Sequence, residues 1–383
     1  MRRHSAPSFL FLLALATLFG GCGKKELPDL AIGVIAELSG DIPAVGTSCK
    51  NAAEMAVAEI NEAGGVKVAG KAHQLRLVIE DSKGTAADAG AALKRLASED
   101  KVFAVVGPNA SVGAIPAAEV AEEVKIPMIS PWSTNPQTTA GKKWVFRACF
   151  TDAFEGHVLA RFATGYLHAA KAAVLYDPGS QAPKSQAELF RKDFEEAGGK
   201  VVAFETYKTG DKDFADEFKR IAASAPDLIF LPSYYNEVPL QLKEAHKLGI
   251  KVPFLGSDNW SSPELIKLAG ADAEGAAFCN HYAPEVRVDA VARFVTPYRN
   301  KYGQTPDDVA ALTYDSFKLL AKALAGASRL DRDAIREALS KIREFEGVTG
   351  KMTFKEGSGD PVKSAVMMKV EDGKPVFVTT VDP

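Results

Sequence analysis

Short apolar runs alternate with amphipathic stretches along most of the chain from Leu30 onward. The apolar runs, such as "VFAVVG", are continuous, which is typical of strands that are buried on both faces. The stretches between them, such as "CKNAAEMAVAEINEAGG", place apolar residues at helical spacing and end at glycine or proline. The pattern therefore predicts an α/β protein whose parallel strands are covered by helices on both faces.

The alternation of strands and helices occurs twice. A first series ends near "WVFRACF", and a second series starts with the helical stretch "AFEGHVLARFATGYL". Helices then dominate from Val288 to Ile342, and the chain closes with a predicted hairpin that turns at Asp372-Gly373. Two series of this kind predict two doubly wound parallel-sheet domains.

Polar loops follow the predicted strands in both series. They are "SGDIPAVGTS", "GPNAS" and "PWSTNPQT" in the first and "DPGSQAPKS", "PSYYNE" and "GSDNWSSP" in the second. Ligands of open parallel sheets bind beyond the carboxyl ends of the strands, so a cleft between two polar edges is expected. Helix capping accounts for the serines of these loops, but it does not account for their aromatic residues. Those residues are Trp132, Tyr234, Tyr235 and Trp260.

The stretch "VVGPNASVGAIPAAEVAEEV" combines a strand, a short polar loop and the start of a helix. The free N–H groups and the positive end of the helix dipole favour an anion at such a position. Ser111 is the hydroxyl-bearing residue closest to the predicted helix start, so an anion is expected beside it.

Several segments together resemble type I periplasmic binding proteins of the Leu/Ile/Val-binding branch, which serve ABC transporters. These segments are "IGVIAELSG", "NAAEMAVAEINEAGGV", "VVGPNAS", "PMISPWSTNP", "KDFEEAGGKVV" and "ALTYDSF". The resemblance covers essentially the whole chain after its N-terminal leader. It implies a Venus-flytrap fold in which three crossing strands form a hinge. Domain one is then expected at 29–149 plus 281–349, and domain two at 150–280 plus 350–383.

The resemblance also implies a set of ligand contacts. Ser111 and Thr134 match family residues that contact a ligand carboxylate, and Asp258 matches an acidic residue that pairs with the ammonium group. The full set of matching positions is Ser111, Trp132, Ser133, Thr134, Tyr234 and Asp258. The chain departs from the family pattern at Val45, where an aromatic residue is expected, and in the bulk of Trp132 and Trp260. A rebuilt side-chain pocket is therefore expected.

The N-terminus has the pattern of an export signal. The basic "MRRH" precedes the apolar "FLFLLALATLF", and the small residues "GGC" follow. Residues 1–21 are predicted to be a signal peptide, and Cys22 is predicted to carry a lipid, as in bacterial lipoproteins. The alternative is an ordinary secretory cleavage nearby. In either case the mature protein is expected in the periplasm or at the cell surface, and the lipid would anchor it to the membrane.

Composition and charge limit the other functions. The chain has 383 residues, 25% of them charged, with a formal net charge of -3 and no basic stripe, so a nucleic acid partner is not expected. "GVKVAGKA" approaches a phosphate-binding loop, but it follows a helix and ends in Ala72. No cofactor, no metal site and no enzymatic activity are predicted.

Three cysteines, Cys49, Cys149 and Cys279, remain after the leader. The last two lie where the crossing strands are expected, so they either form a disulfide, Cys149–Cys279, or are two buried thiols.

The expected function is the solute-binding component of an ABC importer, with a branched-chain or related hydrophobic amino acid as ligand and a membrane permease as partner. Two alternatives stay open. One is a sensory ligand-binding protein, and the other is a binder of another small carboxylate or an amide.

Overall fold

A computed structural model describes residues 28–286 and 288–383 of the chain. The predicted signal peptide and Cys22 lie outside the described residues. Within the described part, no helix combines the length and the apolar composition that a membrane span requires.

The described residues form sixteen strands and eleven α-helices. The strands are β1 (Asp29–Ala36), β2 (Val66–Val68), β3 (Lys71–Asp81), β4 (Ala104–Val106), β5 (Met128–Ser130), β6 (Val145–Arg147), β7 (Lys171–Tyr176), β8 (Lys200–Thr206), β9 (Leu228–Leu231), β10 (Phe254–Gly256), β11 (Ala277–Asn280), β12 (Glu344–Gly347), β13 (Gly350–Phe354), β14 (Pro361–Val362), β15 (Ala365–Glu371) and β16 (Lys374–Val381). The helices are α1 (Pro43–Glu62), α2 (Ala86–Ser98), α3 (Ser111–Val124), α4 (Asp152–Arg161), α5 (Gln181–Glu196), α6 (Ala215–Ala223), α7 (Val238–Lys247), α8 (Pro263–Ala269), α9 (Asp289–Tyr302), α10 (Asp308–Gly326) and α11 (Arg332–Lys341).

The first lobe contains a sheet with the strand order β2-β3-β1-β4-β5-β6. Its central strand β1 pairs in parallel with β3 and β4, and every residue of β1 after Asp29 is buried. Helices α2 and α3 pack together on one face, and α1 packs with α10 on the other. The parallel strands bring the carboxyl ends of β1, β4 and β5 to one edge of the sheet, as the hydrophobic pattern predicted.

Two local features of this lobe differ from the prediction. Helix α1 begins at Pro43, inside a stretch that was expected to be loop, because a proline suits the first helical position, where no N–H partner is needed. The short strand β2 was not predicted. It runs antiparallel to β3 after a turn at Ala69 and Gly70, and three residues are too few for a periodicity signal.

The second lobe contains a sheet with the strand order β16-β15-β11-β10-β9-β7-β8. The strands β7 to β11 are parallel, whereas β15 and β16 form an antiparallel hairpin beside β11. The hairpin turns at Asp372 and Gly373, as predicted, and φ is 51° and 68° at these two residues. Positive φ at both positions suits a two-residue turn between twisted strands. The two-lobed α/β fold is therefore confirmed, with antiparallel additions to each parallel sheet.

A third, small sheet joins β12, β13 and β14 in antiparallel order and contacts α10 of the first lobe. The carbonyl of Gly359 accepts a hydrogen bond from the backbone N–H of Arg147 at 2.9 Å, which attaches this sheet to the end of β6. The chain thus passes between lobes after β6, after β11 and after β14. The expected domain boundary between 349 and 350 falls at the turn of the β12–β13 hairpin, and the division itself remains a prediction.

Candidate functional site

The start of helix α3 carries a chain of buried hydroxyl groups. The Oγ of Ser111, the first residue of the helix, lies 2.8 Å from the Oγ of Ser133, which lies 2.7 Å from the Oγ1 of Thr138. The three side chains are at most 1% exposed. These hydroxyls can turn their protons toward an acceptor in the cleft, so the helix start is equipped for a carboxylate.

Glu37, at the end of β1, occupies part of the loop before α3. Its carboxylate accepts hydrogen bonds from the backbone N–H groups of Asn109 and Ala110, both at 3.0 Å. Among the described residues, the amides of Ser111 and Val112 remain the free donors of the first helical turn. A ligand anion would therefore meet these two amides and the Ser111 hydroxyl.

Arg147, the last residue of β6, fixes the loop that follows β5. Its guanidinium donates to the carbonyls of Ser133 at 2.6 Å and Asn135 at 3.0 Å, and to Thr139 Oγ1 at 2.7 Å. It also pairs with Asp360 through Nε at 2.6 Å. The planar fork of arginine suits several acceptors at once, so this side chain sets the shape of the loop.

Trp132 and Tyr234 face each other from the two lobes. Their ring centroids are 6.1 Å apart, and both side chains are buried. The indole N–H of Trp132 donates to Asp308 Oδ2 at 3.0 Å, at the start of α10. The pair of rings therefore lies where the two lobes meet, beside the carboxylate of Asp308.

Asp258 follows β10 in the second lobe and is held by a buried network. Its Oδ1 accepts from Gln186 Nε2 at 2.8 Å, and its Oδ2 lies 3.0 Å from His281 Nε2. Its backbone N–H donates to Glu155 Oε1 at 2.8 Å, and Gln186 also donates to Glu155 at 2.9 Å. Asp258 is thus fixed in position, as a binding carboxylate needs to be.

Asp152, the first residue of α4, is buried at the interface of the lobes. Its backbone N–H donates to the carbonyl of Thr134 at 2.9 Å, so it lies beside a predicted ligand contact. Neither oxygen of its carboxylate has a hydrogen-bond partner of ordinary geometry in the described part of the chain. The side chains of Ser185 and Thr134 lie close enough to lower its pKa, so the carboxylate is partly compensated by neighbouring hydroxyls.

Burial keeps these carboxylates from ionising easily. It raises the pKa of Asp152 and of Asp258 to about 7, and it raises the pKa values of Glu155 and Asp308 well above their usual range. The neighbouring charges of Asp258 and Asp152 raise the pKa of Glu155 further. Burial also lowers the pKa of His281 well below its usual range, so the ring is neutral at pH 7. A cation in the cleft would favour the ionised carboxylates.

The structure brings the six predicted contacts together. Ser111, Ser133 and Thr134 lie on the first lobe, and Tyr234 and Asp258 approach from the second, with Trp132 between them. Sequence reasoning missed Glu37, Arg147, Asp152, Glu155, Gln186, His281 and Asp308. The stretches "TDAF", "CNHY" and "TPDD" contain three of them, but a cap, a strand end and a helix start are each the ordinary explanation of such stretches.

Trp260 packs against the sheet of the second lobe, and its expected place beside the ligand stays a prediction. Its indole N–H donates to the carbonyl of Leu231 at 2.9 Å, and its ring covers Gly256, where an added Cβ would lie 2.2 Å from the indole. The missing side chain at Gly256 leaves room for the ring inside the second lobe. Trp260 also lines a largely apolar groove of about 770 Å³ among α8, α9 and the β15–β16 hairpin.

The disulfide between Cys149 and Cys279 is not formed in the structure. Cys49, Cys149 and Cys279 are buried free thiols. The thiol of Cys149 donates to the carbonyl of Ser133 at 3.2 Å, whereas Cys279 lies within the core beside β15. Burial raises the pKa of Cys149 to about 12, which leaves the thiol unreactive.

The amino-acid sequence is similar to those of periplasmic binding proteins over nearly its whole length. Residues 29–375 match the sequence profile of a family described as "Periplasmic binding protein". Leu/Ile/Val-binding protein homolog 3 of Brucella melitensis is 28% identical over 359 residues, which cover 92% of this chain and 95% of that protein.

Two solved structures are similar in both sequence and fold. A leucine-binding protein from Thermotoga maritima is 33% identical with a TM-score of 0.87, covering 92% of this chain and 99% of the other. A branched-chain amino acid transporter substrate-binding protein from Streptococcus pneumoniae, crystallised with isoleucine, is 34% identical with a TM-score of 0.86, covering 93% and 100%.

Proposed function

Because the chain belongs to the periplasmic binding protein family, we propose that it is the solute-binding component of an ABC importer and binds an amino acid between its lobes. The relatives named for leucine, isoleucine and valine binding support this proposal, since they match nearly the whole chain. A permease in the membrane is then the partner that receives the ligand.

One observation carries the proposal. The start of α3, with the Ser111 hydroxyl and two free amides, lies on one lobe, and the buried carboxylates of Asp152 and Asp258 belong to the other. The first arrangement suits a carboxylate and the second suits an ammonium group, which are the two groups that every α-amino acid carries. Charge-assisted hydrogen bonds contribute about 1.5–3 kcal/mol each, so a few of them are sufficient for about micromolar affinity.

Contacts across the cleft support a mechanism of closure. The amide N–H of Ala44 donates to Tyr235 Oη at 3.4 Å, Asn236 donates to the carbonyl of Asp41 at 3.0 Å, and Asn135 donates to the carbonyl of Gln181 at 3.2 Å. We refer to the bonds of Tyr235 and Asn236 with the first lobe as the rim contacts. A ligand that touches both lobes adds to these contacts and so favours the closed state.

A binding panel tests the proposal. The ligand-stripped protein is titrated calorimetrically with α-amino acids, their amides and their deaminated analogues. An α-amino acid is expected to bind, and at 100-fold excess over its Kd it should raise the free energy of unfolding by about 2.7 kcal/mol. Ser111→Ala and Asp258→Asn should each weaken binding about 10-fold or more, because each removes a charge-assisted contact.

The exposed Asp100→Asn serves as the matched control and should leave affinity unchanged. Equal binding of an amino acid and its deaminated analogue would contradict the role of Asp258. In that case the protein is a binder of another small carboxylate. The absence of stabilisation by every member of the panel would contradict the amino acid assignment altogether.

The membrane anchor is a separate part of the proposal. We propose that export removes residues 1–21 and that Cys22 becomes the lipid-bearing N-terminus, which the basic and apolar stretches of the leader support. Mass spectrometry of the exported protein should show the added acyl chains. Cys22→Ser should release the protein from the membrane fraction, and an unmodified N-terminus in the wild type would refute the anchor.

A further inference from the structure

Resting on the proposed function, we infer that His281 is a positioning residue for the ligand's ammonium group. Its Nε2–H donates to Asp258 and thereby keeps the carboxylate of Asp258 ionised and in one orientation for the ammonium group. The histidine acts through Asp258, so its contribution differs from that of the residues that contact the amino acid directly.

His281 and Gln186 hold Asp258 from two sides. His281 directly follows β11, where the chain leaves the second lobe, and it is 1% exposed. Its Nε2 atom lies 3.0 Å from Asp258 Oδ2, a normal distance for an N–H···O hydrogen bond. Gln186 Nε2 donates to the other oxygen, Oδ1, at 2.8 Å. Each oxygen of Asp258 therefore has one side-chain donor in the protein and keeps a lone pair for the ligand.

The ring of His281 is fixed by stacking on Phe150. The two ring centroids are 3.8 Å apart, and the ring planes differ by 27°. Phe150 is 1% exposed and lies between β6 and α4, where the chain enters the second lobe. Phe154 of α4 packs against it at a centroid distance of 5.9 Å. Because a buried stack of this kind restricts rotation of the imidazole, Nε2 stays directed at Asp258.

The surroundings of the ring determine which nitrogen carries its proton. Burial lowers the pKa of His281 well below its usual range, and the charge of Lys363 lowers it further, so the ring has one proton at pH 7. Nδ1 has no hydrogen-bond partner in the described part of the chain, whereas Nε2 faces an oxygen of Asp258. When Asp258 is ionised, the proton belongs on Nε2, because a bare Nε2 would bring two lone pairs together.

Asp258 needs such a donor because burial opposes its ionisation. Burial raises the pKa of Asp258 to about 7, and the hydrogen bond from Gln186 acts against this effect. A hydrogen bond to an ionised group is about twice as strong as one between neutral groups, so a donor at Oδ2 also favours the carboxylate. A lysine or arginine at this position would neutralise the charge that the ammonium group requires. A neutral imidazole supplies the hydrogen bond and leaves the negative charge available to the ligand.

Several other titratable groups surround the pair of His281 and Asp258. An oxygen of Asp308 lies within 4.8 Å of both partners, and Glu155 Oε1 accepts from the backbone N–H of Asp258 at 2.8 Å. The remaining titratable groups near the pair are Asp152, Cys279 and Lys363. Substitutions at His281 leave all of these groups in place. A difference in the pH dependence of binding between two such variants therefore reports on the hydrogen bond to Asp258.

Two substitutions separate the hydrogen bond from the bulk of the ring. His281→Gln keeps an N–H close to the position of Nε2, whereas His281→Leu fills the space without a donor. The ligand-stripped proteins are titrated calorimetrically at pH 6, 7 and 8 with the proteinogenic α-amino acids. The amino acid that the wild type binds most tightly is used for all comparisons.

His281→Leu should weaken binding about 10-fold at pH 6 and less than about 3-fold at pH 8. Loss of the donor raises the pKa of Asp258, and a rise of about one unit lowers the ionised fraction about 10-fold at pH 6 but only about 2-fold at pH 8. His281→Gln should stay within about 3-fold of the wild type at every pH.

The matched control is His73→Leu in β3 of the first lobe. His73 is also a buried histidine, 6% exposed, and it pairs with Val66 of the edge strand β2. This variant should keep the wild-type affinity at each pH, and melting temperatures verify that all variants are folded.

A second measurement uses the wild-type protein and does not depend on the stability of His281→Leu. In the complex with the amino acid, the imidazole ¹⁵N signals of His281 should show the proton on Nε2. These signals are identified by their absence from the spectrum of His281→Gln.

The outcomes separate the inference from the proposed function. An equal loss of affinity in His281→Leu at all three pH values would assign the ring a packing role only and overturn the inference. Equal losses in His281→Leu and His281→Gln, or a proton on Nδ1 in the complex, would also overturn it. In each of these cases the wild type still binds the amino acid, so the proposed function stands. Failure of the wild type to bind any α-amino acid would remove the proposed function and this inference with it.

Discussion

The carboxyl groups of Asp152 and Asp258 are buried in the ligand-free protein. Burial raises the pKa of each to about 7, so the empty site holds protons that an exposed aspartate would have released. A ligand ammonium group beside them favours the ionised form of these carboxyl groups instead. Binding at neutral pH should therefore release protons, and affinity should fall as the pH drops below the range in which these carboxylates ionise.

The same residues make the stability of the ligand-free protein depend on pH. The pKa of Asp152 is about 7 when folded, and the pKa of an unfolded aspartate is about 3.9. Its raised pKa therefore contributes stability that is complete below pH about 3.9 and is lost as the pH rises through about 7. Between pH 5 and pH 8 the free energy of unfolding of the empty protein should fall.

Urea unfolding of wild type and Asp152→Asn at a series of pH values checks this. The variant cannot ionise at this position, so its stability should decline less over the range and exceed that of the wild type at pH 8. Asp100→Asn, at an exposed position, should follow the wild-type curve. Parallel curves for wild type and Asp152→Asn would show that Asp152 does not titrate in this range.

At the scale of single elements, the loop between β4 and α3 depends on a glycine. Gly107 has a φ of 94°, and an added Cβ would lie 2.1 Å from the carbonyl oxygen of Ile35 in β1. The close approach of two backbones at this point fixes where α3 starts. It therefore also fixes where Ser111 lies.

Gly107→Ala should consequently reduce the free energy of unfolding by more than about 1 kcal/mol, because alanine tolerates neither the φ nor the contact. Gly90→Ala in α2 is the matched control. Its new Cβ would meet only Val120 at 3.8 Å, and an alanine inside a helix should stabilise the protein by about 0.5–1 kcal/mol. Chemical unfolding of the two variants should thus give changes of opposite sign. If Gly107→Ala leaves the free energy of unfolding unchanged, the loop between β4 and α3 can shift to accommodate the new Cβ.

Most strands and helices, and their order along the chain, could be predicted because each depends on the local pattern of apolar and polar residues. The apolar runs indicated the parallel strands, and the rule for carboxyl ends located the loops that contain Ser111, Thr134 and Asp258. The orientation of Trp260 could not be predicted in this way, because the same loop forms a short helix, Asp258–Trp260, that turns the indole over Gly256. The direction of a side chain within a loop is set by packing, which periodicity does not report.

The remaining site residues could not be predicted from local patterns. Asp258, His281 and Asp308 come from three different parts of the chain, and the fold brings one oxygen or nitrogen atom of each within 4.8 Å of the others. Locally, Asp152 resembles part of a helix start, where Thr151 caps α4. Only the tertiary fold shows that this carboxylate is buried, unlike that of an ordinary helix start.

At the scale of the whole molecule, the rim contacts determine how far the empty protein remains closed. Tyr235 and Asn236 of the second lobe bond to the backbone at Ala44 and Asp41 of the first. These contacts exist only when the lobes are together, so they favour closure without contributing to either lobe's own packing.

The double variant Tyr235→Phe with Asn236→Ala should shift the ligand-free protein toward an open form. Small-angle X-ray scattering should show a larger radius of gyration without ligand and the wild-type value with saturating ligand. The apparent affinity should fall, because closure then costs the ligand more free energy. Tyr166→Phe, at a side chain that is 54% exposed, is the control and should change neither quantity. An unchanged radius would show that the rim contacts do not hold the lobes together.

The last strands of the chain also have a consequence for biosynthesis. The second lobe's sheet receives β15 and β16 only from residues 365–381, although its other strands end at Asn280. A growing chain therefore carries an unfinished sheet with β11 as an open edge until the ribosome has made almost the whole protein. Such a polypeptide stays unfolded longer than one whose domains are continuous. Such a delay would suit the proposed export, because a translocation channel accepts unfolded chains.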